Sequence, residues 1–406
     1  MRRVAWVLLQ LFAFTIPWEY SLDLGEPLGN IARLFGLLLL LALVPAVLQA
    51  GRIRTPGTLQ WLVLALFAWF CLSCFWSGEP QETFRHLRGY VQELMIVWLV
   101  WELAETPEHV RDLLRAYVAG AWVLAALTIA TFAFAATSEQ VRFVAEGQDP
   151  NDAARFLDLG LPVAALLLGS ERKWGGRLLA FCYLPLGMLG VLLTASRSGF
   201  LAALVALAGC GILLFHRRRR GLMRILFVSP LIIGALWFTV PRQTMERIAS
   251  IPEQLQGGNL NQRWDIWAAG WQAFVHAPFL GSGAGSFASA AGLAPVDTAH
   301  NTALALLVEG GVFALGIAAA IVVASIHCVL RTYGPLRIAL AASLMVWLVS
   351  SMVATVQENR TTWLLLGVIA VAARVTTEKP AAMAGTFSGD VEQGTSLHPA
   401  VENAQT

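Results

Sequence analysis

Three polar side chains stand where apolar runs of the sequence begin or meet. His300 lies in "AHNTALALLVEGG", Arg197 in "LLTASRSGF", and Arg263 opens "RWDIWAAGWQAFVH". An imidazole titrates near neutrality and can act as a general base. A guanidinium stays charged and grips phosphate through two parallel hydrogen bonds. Brought together, these groups would form a pyrophosphate site beside a proton acceptor.

His300 has neighbours that suit a base held at the end of a helix. Asp297 is three residues earlier and is expected to orient an imidazole nitrogen, and Asn301 is expected to cap the following helix. The apolar residues after Asn301 drive that helix into a bundle and would fix His300 at its end. The alternative is a histidine at an interface without a chemical role. His276 is interpreted as a residue that ends a helix. No neighbouring residue indicates a chemical role for His86.

Arginines are the residues expected to bind the phosphate groups. Arg197 has almost no loop to hold it in water, so its charge calls for a partner. Arg197 and Arg263 are the leading candidates, followed by Arg142, Arg88 and Arg360. Each could instead be a solvated loop residue. Further alternatives are ion pairs, Arg360 with Glu358 and Arg155 with Asp152, and a turn for the aspartates of "QDPND".

The composition indicates an all-α integral membrane protein. Of the 406 residues 57% are hydrophobic and only 13% are charged, whereas soluble domains carry about 25% charged residues. Apolar runs long enough to cross about 30 Å of hydrocarbon recur along most of the chain. The five cysteines fall in apolar stretches and indicate packing. No metal site is expected from the spacing of possible ligands.

Twelve membrane spans are predicted from these runs. They cover residues 4–19, 30–49, 58–76, 88–104, 112–136, 153–170, 178–194, 198–215, 223–240, 300–328, 335–356 and 361–374.

The distribution of basic residues predicts how the spans face. With the N-terminus inside, 18 of the 28 Lys and Arg residues lie on the inner side, and "HRRRRGLMR" is a strong inner anchor. Both termini are then cytoplasmic. The predicted organisation is spans 1–9 within 1–240, a long periplasmic loop over 241–299, spans 10–12 within 300–375, and a disordered cytoplasmic tail over 376–406.

The long outer connection is predicted to contain amphipathic helices. Trp264, Trp267, Trp271 and Phe274 recur at helical spacing, and Asn259 or Asn261 could cap their helix. A Trp-rich face suits either the boundary between membrane and water or packing onto the bundle.

Taken in order, "TASRSGFLAAL", "RWDIWAAGWQAFVHAPFLGSGAGSF" and "AHNTALALLVEGG" resemble the O-antigen ligase and polymerase superfamily of bacterial envelopes, and the ligases most of all. The resemblance spans roughly residues 140–370. It implies pyrophosphate-binding roles for Arg197 and Arg263 and a catalytic base at His300. Trp267 and Ala314 depart from the residue types expected at their positions.

The resemblance also implies the reaction and its setting. A membrane glycosyltransferase fold of the GT-C-like kind would transfer a polysaccharide from undecaprenyl pyrophosphate to a sugar hydroxyl of lipid A-core, in lipopolysaccharide biosynthesis. The mechanism would be inverting and metal-independent, without a cofactor. The active site would face the periplasm from the bacterial inner membrane. The expected partners are the lipid-linked glycan donor, the lipid A-core acceptor and membrane lipids, and no nucleic acid.

Other activities remain open at this stage. An O-antigen polymerase or a protein O-oligosaccharyltransferase would use the same donor headgroup. A transporter with twelve spans is the alternative from a different class, and it predicts related halves and ionisable groups near the middle of the bilayer. No convincing internal repeat is present, and the large late loop is asymmetric between the halves.

Overall fold

A computed structural model describes residues 1–25, 29–51, 53–135, 140–171, 173–217, 234, 238–256, 258 and 262–378. The described chain is helical throughout, with one isolated bridge between Asp23 and Asn30. The helices that carry the architecture are α1 (Arg2–Thr15), α2 (Ile31–Ala50), α3 (Thr58–Leu72), α4 (Pro80–Leu103), α5 (Pro107–Ala135), α6 (Pro150–Ser170), α7 (Trp174–Leu193), α8 (Arg197–Arg217), α9 (Arg242–Ala249), α10 (Ile251–Gln256), α11 (Arg263–His276), α12 (Phe287–Ala290), α13 (Thr302–Arg331), α14 (Gly334–Ser351) and α15 (Arg360–Glu378).

Nine helices of the described chain are long and apolar enough to cross a membrane, which is fewer than the twelve spans predicted. The difference has three sources. Helix α1 has only 14 residues before the chain tightens into a 3₁₀ helix. Helix α4 has 24 residues, but its first half is rich in charged side chains. The predicted span 223–240 lies mostly outside the described residues. The all-helical membrane architecture itself is confirmed.

Some boundaries also differ from the prediction. Helix α15 continues to Glu378, and Thr376 is fully buried, so the predicted tail cannot begin at residue 376. The remainder of that tail, the guanidinium groups of 217–220 and 224, and the caps proposed at Asn259 and Asn261 lie outside the described residues. Helix α11 instead follows Gln262, which makes no side-chain capping bond.

Helix α6 is at the centre of the bundle and is the most deeply buried of the candidate spans. It packs against α7, α8 and α14. Close approach to α7 depends on Gly160, because a Cβ there would lie 2.4 Å from the Tyr183 hydroxyl. That hydroxyl donates to the Leu157 carbonyl at 2.7 Å. The start of α6 is therefore held firmly relative to the helices around it.

Several basic residues predicted to lie inside form ion pairs with glutamates at one end of the bundle. Arg2 pairs with Glu102 at 2.8 Å, and Arg54 pairs with Glu105 at 3.1 Å. Arg115 pairs with Glu171 at 2.7 Å. We refer to this end as the opposite end, and to the end that holds His300, Arg197 and Arg263 as the site end.

Helix α13 is broken close to the site end. Gly311 has φ +64° and ψ −165°, so the helical hydrogen-bond pattern is interrupted there. Residues 278–283 replace the missing partners. Ser282 donates its backbone N–H to the Val308 carbonyl at 2.8 Å, Gly283 donates to Glu309 at 2.9 Å, and Val312 donates to Pro278 at 2.9 Å.

Glycine is required on both sides of this contact. A Cβ at Gly311 would lie 2.0 Å from the Phe279 carbonyl oxygen, and one at Gly281 would lie 2.5 Å from the backbone of Glu309 and Gly310. Both residues also have positive φ, which side chains disfavour. The "FLGSGAGSF" segment is thus a fitted partner of the broken helix.

Replacing Gly311 by Ala should destabilise the protein by about 1–3 kcal/mol, because the residue would be strained and would collide with the Phe279 carbonyl. The matched control is Gly316→Ala in the same helix, where an added Cβ meets nothing within 4 Å. That variant should be neutral or slightly more stable. Thermal unfolding in detergent measures both, and equal Tm values for the two variants would contradict the assigned break.

Candidate active site

Arg197 begins α8 immediately after a strained hinge. Ala195 has φ +49°, and the Ser196 hydroxyl accepts the Gly199 N–H at 3.1 Å, which caps the helix. The Arg197 side chain donates from Nε to the Arg247 carbonyl at 3.1 Å and from Nη2 to Ser250 Oγ at 2.9 Å. These bonds hold the guanidinium at the hinge and anchor the end of α9 there.

Two further arginines bind to the same hinge. Arg142 donates from Nε to the Thr194 carbonyl at 3.2 Å and from Nη2 to Asn151 Oδ1 at 3.2 Å. Arg247 donates from Nε to the Ala195 carbonyl at 3.3 Å. Backbone carbonyls therefore offset part of the repulsion between the cations and fix their directions.

Arg263 is the first residue of α11 and follows Gln262, whose φ is +63°. Its side chain is half-buried. Burial lowers its pKa, the nearby Arg197 charge lowers it further, and Asp149 raises it. Within the described ranges, no hydrogen bond or ion pair engages the Arg263 guanidinium. We call Arg142, Arg197, Arg247 and Arg263 the cationic cluster.

The cluster is mutually coupled through charge. Burial lowers the pKa of Arg142 most, and the positive charges of Arg247, Arg263 and Arg197 lower it further, while Asp149 raises it. An arginine nevertheless remains protonated at any physiological pH. The cost of holding these charges together falls when an anion binds among them.

Two contacts hold the backbone around His300. The Trp267 indole Nε1 donates to the Ala299 carbonyl at 2.9 Å. Asn301 caps α13 as expected, because its Oδ1 accepts the Leu304 N–H at 3.0 Å, and its Nδ2 donates to the Met352 carbonyl at 3.2 Å. His300 itself has φ +45°. Contacts on both sides of His300 therefore hold it in a backbone conformation that non-glycine residues rarely adopt.

The imidazole has a different polar neighbour from the one expected. Its Nδ1 lies 3.4 Å from Thr298 Oγ1, whereas the Asp297 carboxylate accepts the Ala294 N–H at 3.2 Å. Asp297 therefore folds the preceding turn and reaches His300 only through its charge. Burial lowers the pKa of His300, and the Arg263 charge lowers it further, against the opposing effects of Asp149, Asp297 and Asp152. The ring is consequently neutral at pH 7.

The aspartates of "QDPND" serve as a cap and as counter-charges. Asp149 caps α6 by accepting the N–H groups of Asn151 at 2.7 Å and Asp152 at 3.2 Å. The motif therefore begins a helix instead of forming the predicted turn. Asp152 pairs with Arg155 at 2.7 Å, as the sequence suggested. Both carboxylates also act electrostatically on His300, so the segment links the cationic cluster to the base.

Backbone strain is concentrated at this site. In the described part of the chain, the non-glycine residues with positive φ are Ala195, Gln262 and His300. His300 is itself a leading candidate, Gln262 directly precedes Arg263, and Ala195 lies two residues before Arg197. Strained backbone of this kind costs about 1–3 kcal/mol and is retained at sites where it directs functional groups.

The structure does not bring every predicted arginine into the cluster. Arg88 is exposed on α4, with its guanidinium 5.7 Å from the centre of the Phe84 ring. Arg360 forms an ion pair with the buried Glu19, and not with Glu358 as the alternative supposed. Glu358 lies beside His86 instead, 3.7 Å from its Nδ1. Arg360 therefore borders the site with its charge already neutralised.

Sequence reasoning placed Arg247 on the outer side but did not choose it. The available signal was its position in a short amphipathic helix just after the predicted span 223–240. Among the described residues, no group of three or more His, Cys, Asp or Glu side chains converges in a way that could hold a metal ion.

Comparison with known proteins identifies part of the chain. Residues 180–319 match the family model described as O-antigen ligase. The match begins within α7 and ends within α13, so it includes Arg197, Arg247, Arg263 and His300. The resemblance inferred from the sequence is confirmed. No curated protein matches the chain.

His300 should titrate below its ordinary pKa of about 6.5, because burial and the Arg263 charge both disfavour the imidazolium. Arg263→Gln should raise that pKa by removing a positive charge. Arg242→Gln should leave it unchanged, since Arg242 is exposed and pairs with Glu246 at 2.9 Å. NMR titration of labelled histidine measures all three, and a wild-type pKa at or above 6.5 would show that this electrostatic assignment is wrong.

Proposed function

Because residues 180–319 match the family model described as O-antigen ligase, we propose that this chain is an O-antigen ligase. In this proposal, a polysaccharide is transferred from undecaprenyl pyrophosphate to a sugar hydroxyl of lipid A-core. The chain would lie in the bacterial inner membrane with both termini cytoplasmic and the site end in the periplasm. The predicted sidedness of the basic residues supports this orientation.

The observation that carries the proposal is the half-buried Arg263 guanidinium next to a neutral imidazole. Among the described residues the guanidinium forms no ion pair or hydrogen bond, and Asp149 acts on it only through its charge. A buried charge without a partner is costly. Three more arginines lie close by and are directed by backbone carbonyls. Such a site favours a dianionic group, and its planar donors match phosphate oxygens.

The proposed reaction is a single displacement at the anomeric carbon. The acceptor hydroxyl oxygen forms a bond to that carbon while the bond from the carbon to the pyrophosphate oxygen breaks. His300 takes the hydroxyl proton, and we assign Nε2 to this role because Nδ1 faces Thr298. The leaving undecaprenyl pyrophosphate carries away the bonding electrons. The cationic cluster stabilises the charge that develops on it, and attack from the opposite face inverts the configuration.

Arg263 and Arg197 would have different tasks in this step. Arg197 uses two of its donors on Arg247 and Ser250, so its position is fixed before the substrate arrives. The donors of Arg263 remain available for the pyrophosphate. The lowered pKa of His300 keeps the ring ready to accept a proton at pH 7.

Purified protein incubated with an undecaprenyl-pyrophosphate glycan should increase the mass of lipid A-core, and not of a second donor molecule or a serine-containing peptide. Mass spectrometry of the three acceptors separates ligase, polymerase and protein-transferase activities. We expect the transfer to survive a chelator. Loss of product with chelator and its recovery with Mg²⁺ would contradict the proposed metal-independent step.

Two histidine variants control this assay. His300→Ala should reduce transfer by about 10²–10⁴-fold, the usual contribution of a positioned general base. His276→Ala should not, because that ring is exposed and its Nδ1 is hydrogen-bonded to the Gln272 carbonyl one helical turn before it. Wild-type transfer by His300→Ala would remove the histidine from the reaction. Absence of product with all three acceptors would favour the transporter alternative.

Arg263→Lys should lower the rate of transfer about tenfold or more although the charge is kept, because lysine cannot offer two parallel donors to a phosphate. Arg242→Lys is the matched control in the same outer segment, where the exposed side chain pairs with Glu246. Steady-state rates at saturating acceptor measure the effect. Equal rates for both variants would show that Arg263 contributes only its positive charge to the reaction.

A further inference from the structure

A second polar site lies at the same end of the bundle. A cavity of about 550 Å³ lies between the first turns of α4 and residues 285–295, and its volume is within the range of small-molecule sites, about 300–1,000 Å³. Its polar lining consists chiefly of Glu79, Glu82, His86, Tyr90, Glu93 and Glu358. We call it the acidic cavity.

The acidic cavity differs in its side-chain chemistry from the cationic cluster. Four glutamates line it, with Arg85 as the one guanidinium among the described lining residues. Arg85 is already paired with Glu82. His86 faces Glu358. The cavity therefore favours ligands that exchange hydrogen bonds with carboxyl, hydroxyl and imidazole groups, as the hydroxyl and amino groups of a sugar do.

Buried polar atoms at this cavity lack partners among the described residues. Tyr90 is only 3% exposed, and its hydroxyl faces the Gln357 side chain without forming a hydrogen bond of good geometry. One carboxylate oxygen of Glu93 is also unpaired at this cavity, whereas the unpaired Gln357 amide borders a different cavity, among the described residues. Leaving such groups unpaired costs about 1–3 kcal/mol each. Their convergence points to a ligand that supplies both donors and acceptors, as a sugar does.

The backbone around the cavity is built to keep it open. Gly285 lies against the His86 ring, and a Cβ there would approach that ring to 2.1 Å. The break in α13 binds the start of this segment, because the Glu309 carbonyl accepts the Gly283 N–H at 2.9 Å. The helix break that positions His300 therefore also holds one wall of the acidic cavity.

The acidic cavity and the base are connected through short segments. Leu293 and Pro295 line the cavity, and the turn closed by Asp297 leads from them directly to His300. On the other side, Glu358 lies two residues before Arg360, which forms an ion pair with Glu19. The charge of Asp152 acts on Glu19 and also on His300. The wall of the cavity and the base are therefore parts of one short stretch of chain, residues 293–300.

We propose that the acidic cavity binds an unphosphorylated sugar of the acceptor glycan through its hydroxyl or amino groups. This inference rests on the proposed ligase function and adds a location and a chemical class for its acceptor. The first sugars of the donor glycan share that chemistry, and the experiment below separates the two sources.

Gly89→Leu tests the proposal by filling the cavity. Gly89 lines it, a Cβ there meets nothing within 4 Å, and leucine suits its helical position. The control is Gly175→Leu at the opposite end, where an added Cβ also meets nothing. Tyr90→Phe and Glu93→Gln remove single polar groups, with the exposed Glu253→Gln as their control.

Two measurements are made on these proteins. In the transfer assay, Gly89→Leu, Tyr90→Phe and Glu93→Gln should each raise the KM for lipid A-core tenfold or more, with the KM for the lipid-linked donor unchanged. Dephosphorylated core oligosaccharide should bind His300→Ala protein in ligand-observed NMR. Adding Gly89→Leu should abolish that binding, and adding Gly175→Leu should not.

The outcomes distinguish this inference from the proposed function. Absence of transfer by wild type, together with binding that Gly89→Leu abolishes, would reject the ligase and keep a sugar-binding cavity. Transfer by wild type with unchanged acceptor KM in all three cavity variants would overturn the inference alone. A rise in donor KM instead would assign the cavity to the donor glycan and would also overturn it.

Discussion

The architecture of the site end depends on holding four guanidinium groups together against their mutual repulsion. Carbonyl oxygens of Thr194 and Ala195 accept hydrogen bonds from Arg142 and Arg247, and the carbonyl of Arg247 in turn accepts one from Arg197. Asp149 adds a negative charge from the start of α6. These contacts fix the positions of the cations without neutralising all of them. The remaining positive charge is what a pyrophosphate would satisfy, and it also keeps the nearby His300 in its neutral form.

The break in α13 links the remaining features to that cluster. Because Gly311 leaves the helix, the carbonyls of Val308 and Glu309 are free to receive the segment 278–283. That segment follows α11, so docking it also positions the helix that carries Arg263 at one end and Trp267 within it. Trp267 then holds the Ala299 carbonyl. A local interruption of one helix thus controls both the base and the arginine that faces it.

Charge is sorted across the site end in a way that suits a reaction between two large substrates. Under the proposed function, the cationic cluster would bind an anionic lipid headgroup, whereas the acidic cavity would bind an uncharged sugar. Between them lie His300, Asp152 and the pair of Arg360 with Glu19. An arrangement of this kind disfavours binding of a donor headgroup in the acceptor position, which would block transfer.

The amino-acid sequence already specified the membrane character, most of the helices, and the residue types of the site, because apolar run length, helical periodicity and capping residues are local properties. It also selected Arg142, Arg197, Arg263 and His300, which the structure brings together. Tertiary structure decided which charges remain unpaired. Arg360 meets Glu19 across 341 positions of sequence, Arg88 stays exposed over Phe84, and Arg247 joins the cluster. Pairing of this kind depends on the packing of distant segments, and a single guanidinium looks the same in sequence whether its partner is a carboxylate, a carbonyl or an incoming phosphate.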